Sequence, residues 1–79
     1  MNISELVNFS FKNKELINIS ELCGCYHCCQ TFKRDEIKNY TDNGKTAICP
    51  KCDIDAVLGD KCGFSLTKDF LESAKKYWF

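Results

Sequence analysis

Cys23-Gly24-Cys25-Tyr26-His27-Cys28-Cys29 and, twenty residues beyond Cys28, Cys49-Pro50-Lys51-Cys52 are the stretches whose reading decides the fold. Two residues between a pair of cysteines let one tight turn aim both sulfurs at a single ion. Two such turns supply four thiolates in a tetrahedron, at ~2.3 Å from a zinc ion. The C-x2-C, twenty-residue, C-x2-C spacing lies within the window of structural zinc sites. It nominates Cys25, Cys28, Cys49 and Cys52 as ligands of one Zn2+. Four thiolates saturate zinc and leave no position for water, so a site of this kind is structural, whereas a catalytic zinc keeps a position open.

The competing reading makes these cysteines buried thiols or a redox pair. Cys49-Pro-Lys-Cys52 alone has the look of a dithiol redox motif, but such motifs usually open a helix after a strand in a βαβ unit. The second pair explains the first better. Cys23, Cys29 and Cys62 remain. Cys23 with Cys25, or Cys25 with Cys29, is an alternative ligand register, and the x2 spacing is preferred because it matches the second pair. Unligated, these three read as small buried hydrophobes. A second metal site built from them with His27 is the sharper alternative, while His27 itself reads as an exposed knuckle residue.

Length makes the staple necessary. A chain of 79 residues is one small domain, 1–79, and hides only roughly 60% of its unfolded surface. A core of that size rarely yields more than ~3–5 kcal/mol, against ~10–16 kcal/mol for zinc binding to finger peptides. Metal binding and folding are therefore expected to be one equilibrium. The odd count of seven cysteines disfavours a secreted disulfide scaffold and favours a reducing cytosol. Met1-Asn-Ile-Ser-Glu-Leu-Val-Asn-Phe has no basic flank or continuous apolar run and does not read as a signal peptide. No apolar stretch approaches the ~20 residues that span a bilayer.

Around the knuckles the pattern predicts a small metal-stabilised α+β fold. Leu6, Val7 and Phe11 give a short amphipathic helix over 4–13. Leu16, Ile17, Ile19 and Leu22 lead into extended pieces around the first knuckle, and Asp35 to Tyr40 reads as one or two helical turns. Asp42-Asn43-Gly44 is a strong turn signal before a strand at Thr46-Ala-Ile48. Asp55 reads as capping a short turn, and Gly59 and Gly63 as loop residues. Phe70, Leu71, Ala74, Tyr77 and Trp78 line one face of a C-terminal helix. Thr67 is its N-cap, with a Leu66–Leu71 staple, Asp69 in the first turn and Lys75 and Lys76 in the last.

Cys23-Gly-Cys-Tyr-His-Cys28, Phe32, Glu36-Ile37, Asp42-Asn-Gly44, Thr46-Ala47, Cys49-Pro-Lys-Cys52, Ile54-Asp55 and Val57-Leu-Gly59, with the helix from Thr67 to Phe79, together resemble a family of short bacterial zinc-ribbon proteins known only by the generic label of cytoplasmic protein. The resemblance covers most of the chain. It implies a cytoplasmic zinc ribbon with four cysteine ligands, Cys25, Cys28, Cys49 and Cys52, and no activity to carry over. Its two knuckles would sit on short β-hairpins flanked by an N-terminal and a C-terminal helix. Asp53 departs from the pattern, since such ribbons commonly place glycine there; aspartate tolerates left-handed backbone better than most residues.

Three functions are weighed. A nucleic-acid reader usually carries a basic footprint, whereas 11 Lys+Arg balance 11 Asp+Glu and Arg34 is the only arginine. Lys33, Arg34 and Lys38 beside Phe32 and Tyr40 read as a solvated face interleaved with Asp35 and Glu36. An enzyme lacks parts: there is one histidine, and Asp35-Glu36 more simply starts a helix. A thiol redox or metal-responsive role is a further alternative. A protein-interaction module is expected instead, because Tyr77-Trp78-Phe79 gathers large aromatics of the kind that anchor interfaces. Trp78 lies on the helical stripe, and Phe79 is the exposed anchor.

Overall fold

A computed structural model describes residues 3–79; Met1 and Asn2, where the sequence was read for a leader, lie outside the described residues. The chain runs through a 3-10 turn at Ile3–Glu5 into α1 (Val7–Ser10) and α2 (Lys14–Asn18), then β1 (Leu22–Cys25) and β2 (Thr31–Lys33). A 3-10 turn at Arg34–Glu36 leads to β3 (Tyr40–Thr41), β4 (Thr46–Ala47) and β5 (Val57–Gly59), and a last 3-10 turn at Asp60–Cys62 precedes α3 (Lys68–Trp78). β1 is the centre of a three-stranded antiparallel sheet in the order β2-β1-β5, with Cys23 opposite both Phe32 and Gly59. β3 and β4 form a separate antiparallel pair, Tyr40 opposite Ala47.

The single helix expected over 4–13 is instead broken, and Asn13 accounts for the break. Its buried side chain donates to the carbonyls of Phe9 (3.0 Å) and Val57 (2.7 Å) and accepts from the Ala47 amide (3.1 Å). One amide thus ties α1 to β4 and β5, and the chain turns at Lys12 with a left-handed φ of 49° before α2 begins. The residues around Leu16 and Ile17, expected to be extended, are helical because this second short helix lays Ile17 into the core.

Other departures have equally local causes. Asp35 to Tyr40 makes only the 3-10 turn at Arg34–Glu36, where the Glu36 carboxylate accepts from the Lys33 amide at 2.8 Å. Ala56 to Gly59 is not a capped turn: residues 57–59 form the fully buried strand β5, and Gly59 belongs to that strand rather than to a loop. A Cβ on Gly59 would lie 2.8 Å from that of Ser20, whose hydroxyl donates to the Leu16 carbonyl and accepts from the Lys61 amide. The absence of a side chain at Gly59 is what lets α2 close on the sheet.

The β3–β4 turn and α3 follow their sequence signals. Asp42, Asn43 and Gly44 all take left-handed φ, at 53°, 60° and 82°, and Thr46 donates to Asp42 at 2.8 Å. Thr67 caps α3 by accepting from the Phe70 amide at 3.1 Å. Leu71 and Ala74 of the predicted stripe are buried, and α3 lies across β1 where Gly24 offers no side chain: a Cβ there would meet Leu71 at 3.2 Å and Leu66 at 3.6 Å. The core, Leu6, Ile17, Phe32, Ile37, Val57, Leu58 and Leu71 among others, is continuous with the knuckles through buried Cys25, Tyr26 and Cys49. Asn13→Ala leaves a buried amide and a buried carbonyl unpaired, and is expected to cost about 2–4 kcal/mol in chemical denaturation of the metal-loaded protein without changing its metal content.

Candidate metal centre

Each Cys-x-x-Cys folds into the same turn. In the first, the Cys25 amide donates to the Gln30 carbonyl (3.0 Å), the Cys29 amide donates back to the Cys25 carbonyl (2.8 Å), and the His27 amide donates to the Cys25 sulfur (3.3 Å). In the second, the Cys49 amide donates to the Ile54 carbonyl (3.0 Å), the Asp53 amide to the Cys49 carbonyl (2.9 Å), and the Lys51 amide to the Cys49 sulfur (3.3 Å). The Gln30 and Ile54 amides bond the Cys28 and Cys52 sulfurs in the same way. The hydrogen bonds of the two knuckles therefore correspond residue for residue, Cys25 to Cys49 and Cys28 to Cys52.

That correspondence pairs Cys29 with Asp53, at left-handed φ of 61° and 65°. Sequence reading flagged Asp53 as standing where glycine is usual and missed that Cys29 occupies the matching position. The signal was available in the spacing, since each residue directly follows the second cysteine of its pair.

The knuckles differ in their setting. The first turns within a hairpin, from β1 to β2. The second joins β4 to β5, which do not pair with each other: β4 pairs with β3 and β5 with β1. The expectation of a hairpin under each knuckle thus holds for the first alone; beyond the local Cys49–Ile54 bond, the second knuckle bridges the two sheets.

The four sulfurs of Cys25, Cys28, Cys49 and Cys52 all lie within 4.8 Å of one another. Cys25 to Cys52 and Cys28 to Cys49 are each 3.7 Å. A disulfide would need about 2.05 Å, whereas a tetrahedron with spokes of ~2.3 Å has edges of about 3.8 Å. The spacing fits a shared ion. Soft thiolates in a tetrahedron suit zinc or iron rather than magnesium or calcium, and the saturated donor set has the character of a structural metal site. Burial pushes the Cys25 thiol up, and the Cys52 thiol up to about 11. Burial also raises Cys28, but the Gln30 amide and the neighbouring thiols outweigh it and the net shift is downward. A divalent cation supplies the positive charge that so crowded a set of thiolates lacks, and its binding releases their protons.

Among the described residues no other group of histidine, cysteine and carboxylates converges in this way, so Cys23, Cys29, Cys62 and His27 do not form a second site. Cys23 and Cys62 are core residues. Burial, and secondarily Asp60, raises Cys23 from 9.0 to about 12. The fold holds it as the neutral thiol, so its contribution to stability is complete below pH 9 and lost as pH rises toward 12. His27 is half-buried rather than exposed; its ring meets that of Phe79 edge to face at 4.8 Å, and its Nδ1 is buried without a partner. Phe79 also packs on Tyr26 at 5.8 Å while remaining 62% exposed, and Trp78, 36% exposed, donates from Nε1 to the Ile3 carbonyl at 3.2 Å.

Cys28→Ser or Cys52→Ser is expected to abolish metal binding and the folded circular-dichroism signal together, whereas Cys62→Ser retains one ion per chain. Cys29→Gly and Asp53→Gly each relieve a left-handed residue and are expected to stabilise the loaded protein by about 0.5–1 kcal/mol, read as a higher denaturation midpoint.

Compared with protein-family models, with characterised proteins and with solved structures, the chain matches none.

Proposed function

We propose that this chain is a four-cysteine zinc ribbon of the short bacterial family it resembles, holding one structural Zn2+ and presenting a surface to a protein partner in the cytosol, with no catalysis of its own. Zinc is favoured by the closed four-sulfur set, which has no open position and needs no redox chemistry. The observation that carries the interaction reading is the end of α3. Tyr77, Trp78 and Phe79 stay largely exposed, although large aromatics are worth most when buried. Phe79 is braced on Tyr26 and His27, the two residues between the ligands Cys25 and Cys28, and Tyr77 packs edge to face on Trp78 at 5.2 Å. Aromatics held this way lose little freedom when a partner covers them, and Trp and Tyr are the residues that most often dominate interfaces.

Charge supports a protein over a nucleic acid. The only arginine, Arg34, has its guanidinium donating to the Asn18 carbonyl and lies 3.7 Å from Asp35. Lys51 lies 3.4 Å from Glu36. No helix among the described residues is long and apolar enough to cross a membrane.

Elemental analysis of the purified protein is expected to give one zinc per chain, and removal of the metal by a strong chelator to unfold it; a folded, metal-free monomer overturns the zinc reading. A tagged copy is expected to retain a protein partner from source cells after nuclease treatment, and Phe79→Ala to lose that partner while keeping its zinc. A nuclease-sensitive capture overturns the interaction reading.

A further inference from the structure

The four sulfurs are not equivalent. Cys25 and Cys49, the first cysteine of each knuckle, have no solvent exposure, whereas Cys28 and Cys52 are partly open. Each 3.7 Å contact joins an open sulfur of one knuckle to a closed sulfur of the other: Cys28 to Cys49, and Cys52 to Cys25. A diffusible oxidant therefore reaches the second cysteine of a knuckle first, and a buried sulfur that can resolve the product lies across the gap on the opposite knuckle.

We propose that Cys28 and Cys52 are oxidation sites for a peroxide, and that their oxidation exchanges the bound zinc for two disulfides, Cys28–Cys49 and Cys25–Cys52, which cross between the knuckles. This rests on the zinc reading above. In the first step the sulfur of Cys28 attacks a peroxide oxygen; the O–O bond breaks, the thiolate becomes a sulfenic acid, and the second oxygen leaves as water after taking up protons. In the second, the Cys49 sulfur attacks the Cys28 sulfur, the S–S bond forms, and the sulfenic oxygen leaves as water. Cys52 and Cys25 repeat the sequence. In sum, four zinc-bound thiolates, two molecules of hydrogen peroxide and four protons give two disulfides, four waters and free Zn2+. The peroxide takes the four electrons lost by sulfur.

The pairing decides what remains. Disulfides within a knuckle, Cys25–Cys28 and Cys49–Cys52, would close only short loops and leave the two sheets untied once the ion departs. Disulfides between knuckles hold β1 against the β4–β5 connection where the ion held them. The oxidised, zinc-free chain therefore keeps its fold, unlike the chain stripped by a chelator under reducing conditions.

The test uses the Cys29→Ser variant, which keeps all four ligands and removes the thiol adjacent to Cys28 that would blur disulfide assignment. Zinc content is measured first: a protein purified without zinc fails the reading on which this proposal rests. The zinc-loaded protein is then titrated with hydrogen peroxide. Free zinc is followed with a chromogenic chelator, folding by circular dichroism, and disulfides by mass mapping of peptic fragments. The expected result is release of the full zinc content at about two peroxide equivalents, a folded spectrum, the Cys28–Cys49 and Cys25–Cys52 linkages, and recovery of zinc binding after reduction by a dithiol. Retention of zinc under excess peroxide, within-knuckle linkages, linkages to Cys23 or Cys62, or unfolding on zinc release each overturns it.

Discussion

Everything in this fold leans on the convergence of four sulfurs from two turns that are far apart in sequence. The β1–β2 hairpin, the β3–β4 pair and the strand β5 are each too short to stand alone; isolated two-stranded pairs are marginal in water. Cys25 and Cys28 hold the first of these pieces, while Cys49 and Cys52 sit between the second and the third. An ion shared by both pairs therefore fixes the relative position of elements that have few apolar side chains with which to fix it themselves. The hydrophobic core is an extension of that centre, because Cys25, Tyr26 and Cys49 are buried members of it.

Two polar devices complete what the sulfurs begin. Asn13 bonds to backbone groups of α1, β4 and β5, so the N-terminal helices are anchored by a side-chain amide rather than by a long apolar stripe. Ser20 serves α2 and the turn after β5 in the same manner. Buried polar groups that are fully paired give unique positions to short elements, and they tolerate substitution poorly. A short chain with little apolar area can specify its fold this way.

How much of this was legible follows from the range over which each signal acts. The ligands and α3 were readable because their information is local: two residues between cysteines, or a Thr cap followed by an amphipathic turn pattern. The β3–β4 turn was readable for the same reason, from Asp42-Asn43-Gly44. The break after α1 was not, because Asn13 ends the helix only by bonding partners at positions 47 and 57. Strand β5 was hidden as well: Val57-Leu58-Gly59 is buried on all sides and shows no alternation, and the fit of Gly59 against Ser20 exists only in the packed molecule. The family resemblance suggested a hairpin under each knuckle, but strand pairing across β1 and β5 is a long-range choice that no local pattern encodes.

The placement of the second knuckle between two sheets also bears on how the chain assembles. The first knuckle is a local bidentate chelator, complete once the β1–β2 hairpin turns. The second must be brought to it by closing the twenty-residue segment between Cys28 and Cys49. The entropy of such a closure rises only slowly with loop length, and tethering gives the second pair an effective concentration of order mM. Capture of an ion by one knuckle thus turns the search of the other into an intramolecular one, and the ion becomes the nucleus around which the distant strands find their register. Dissociation runs the same route backwards: an ion freed from one pair is still held by the other, and recapture competes with escape.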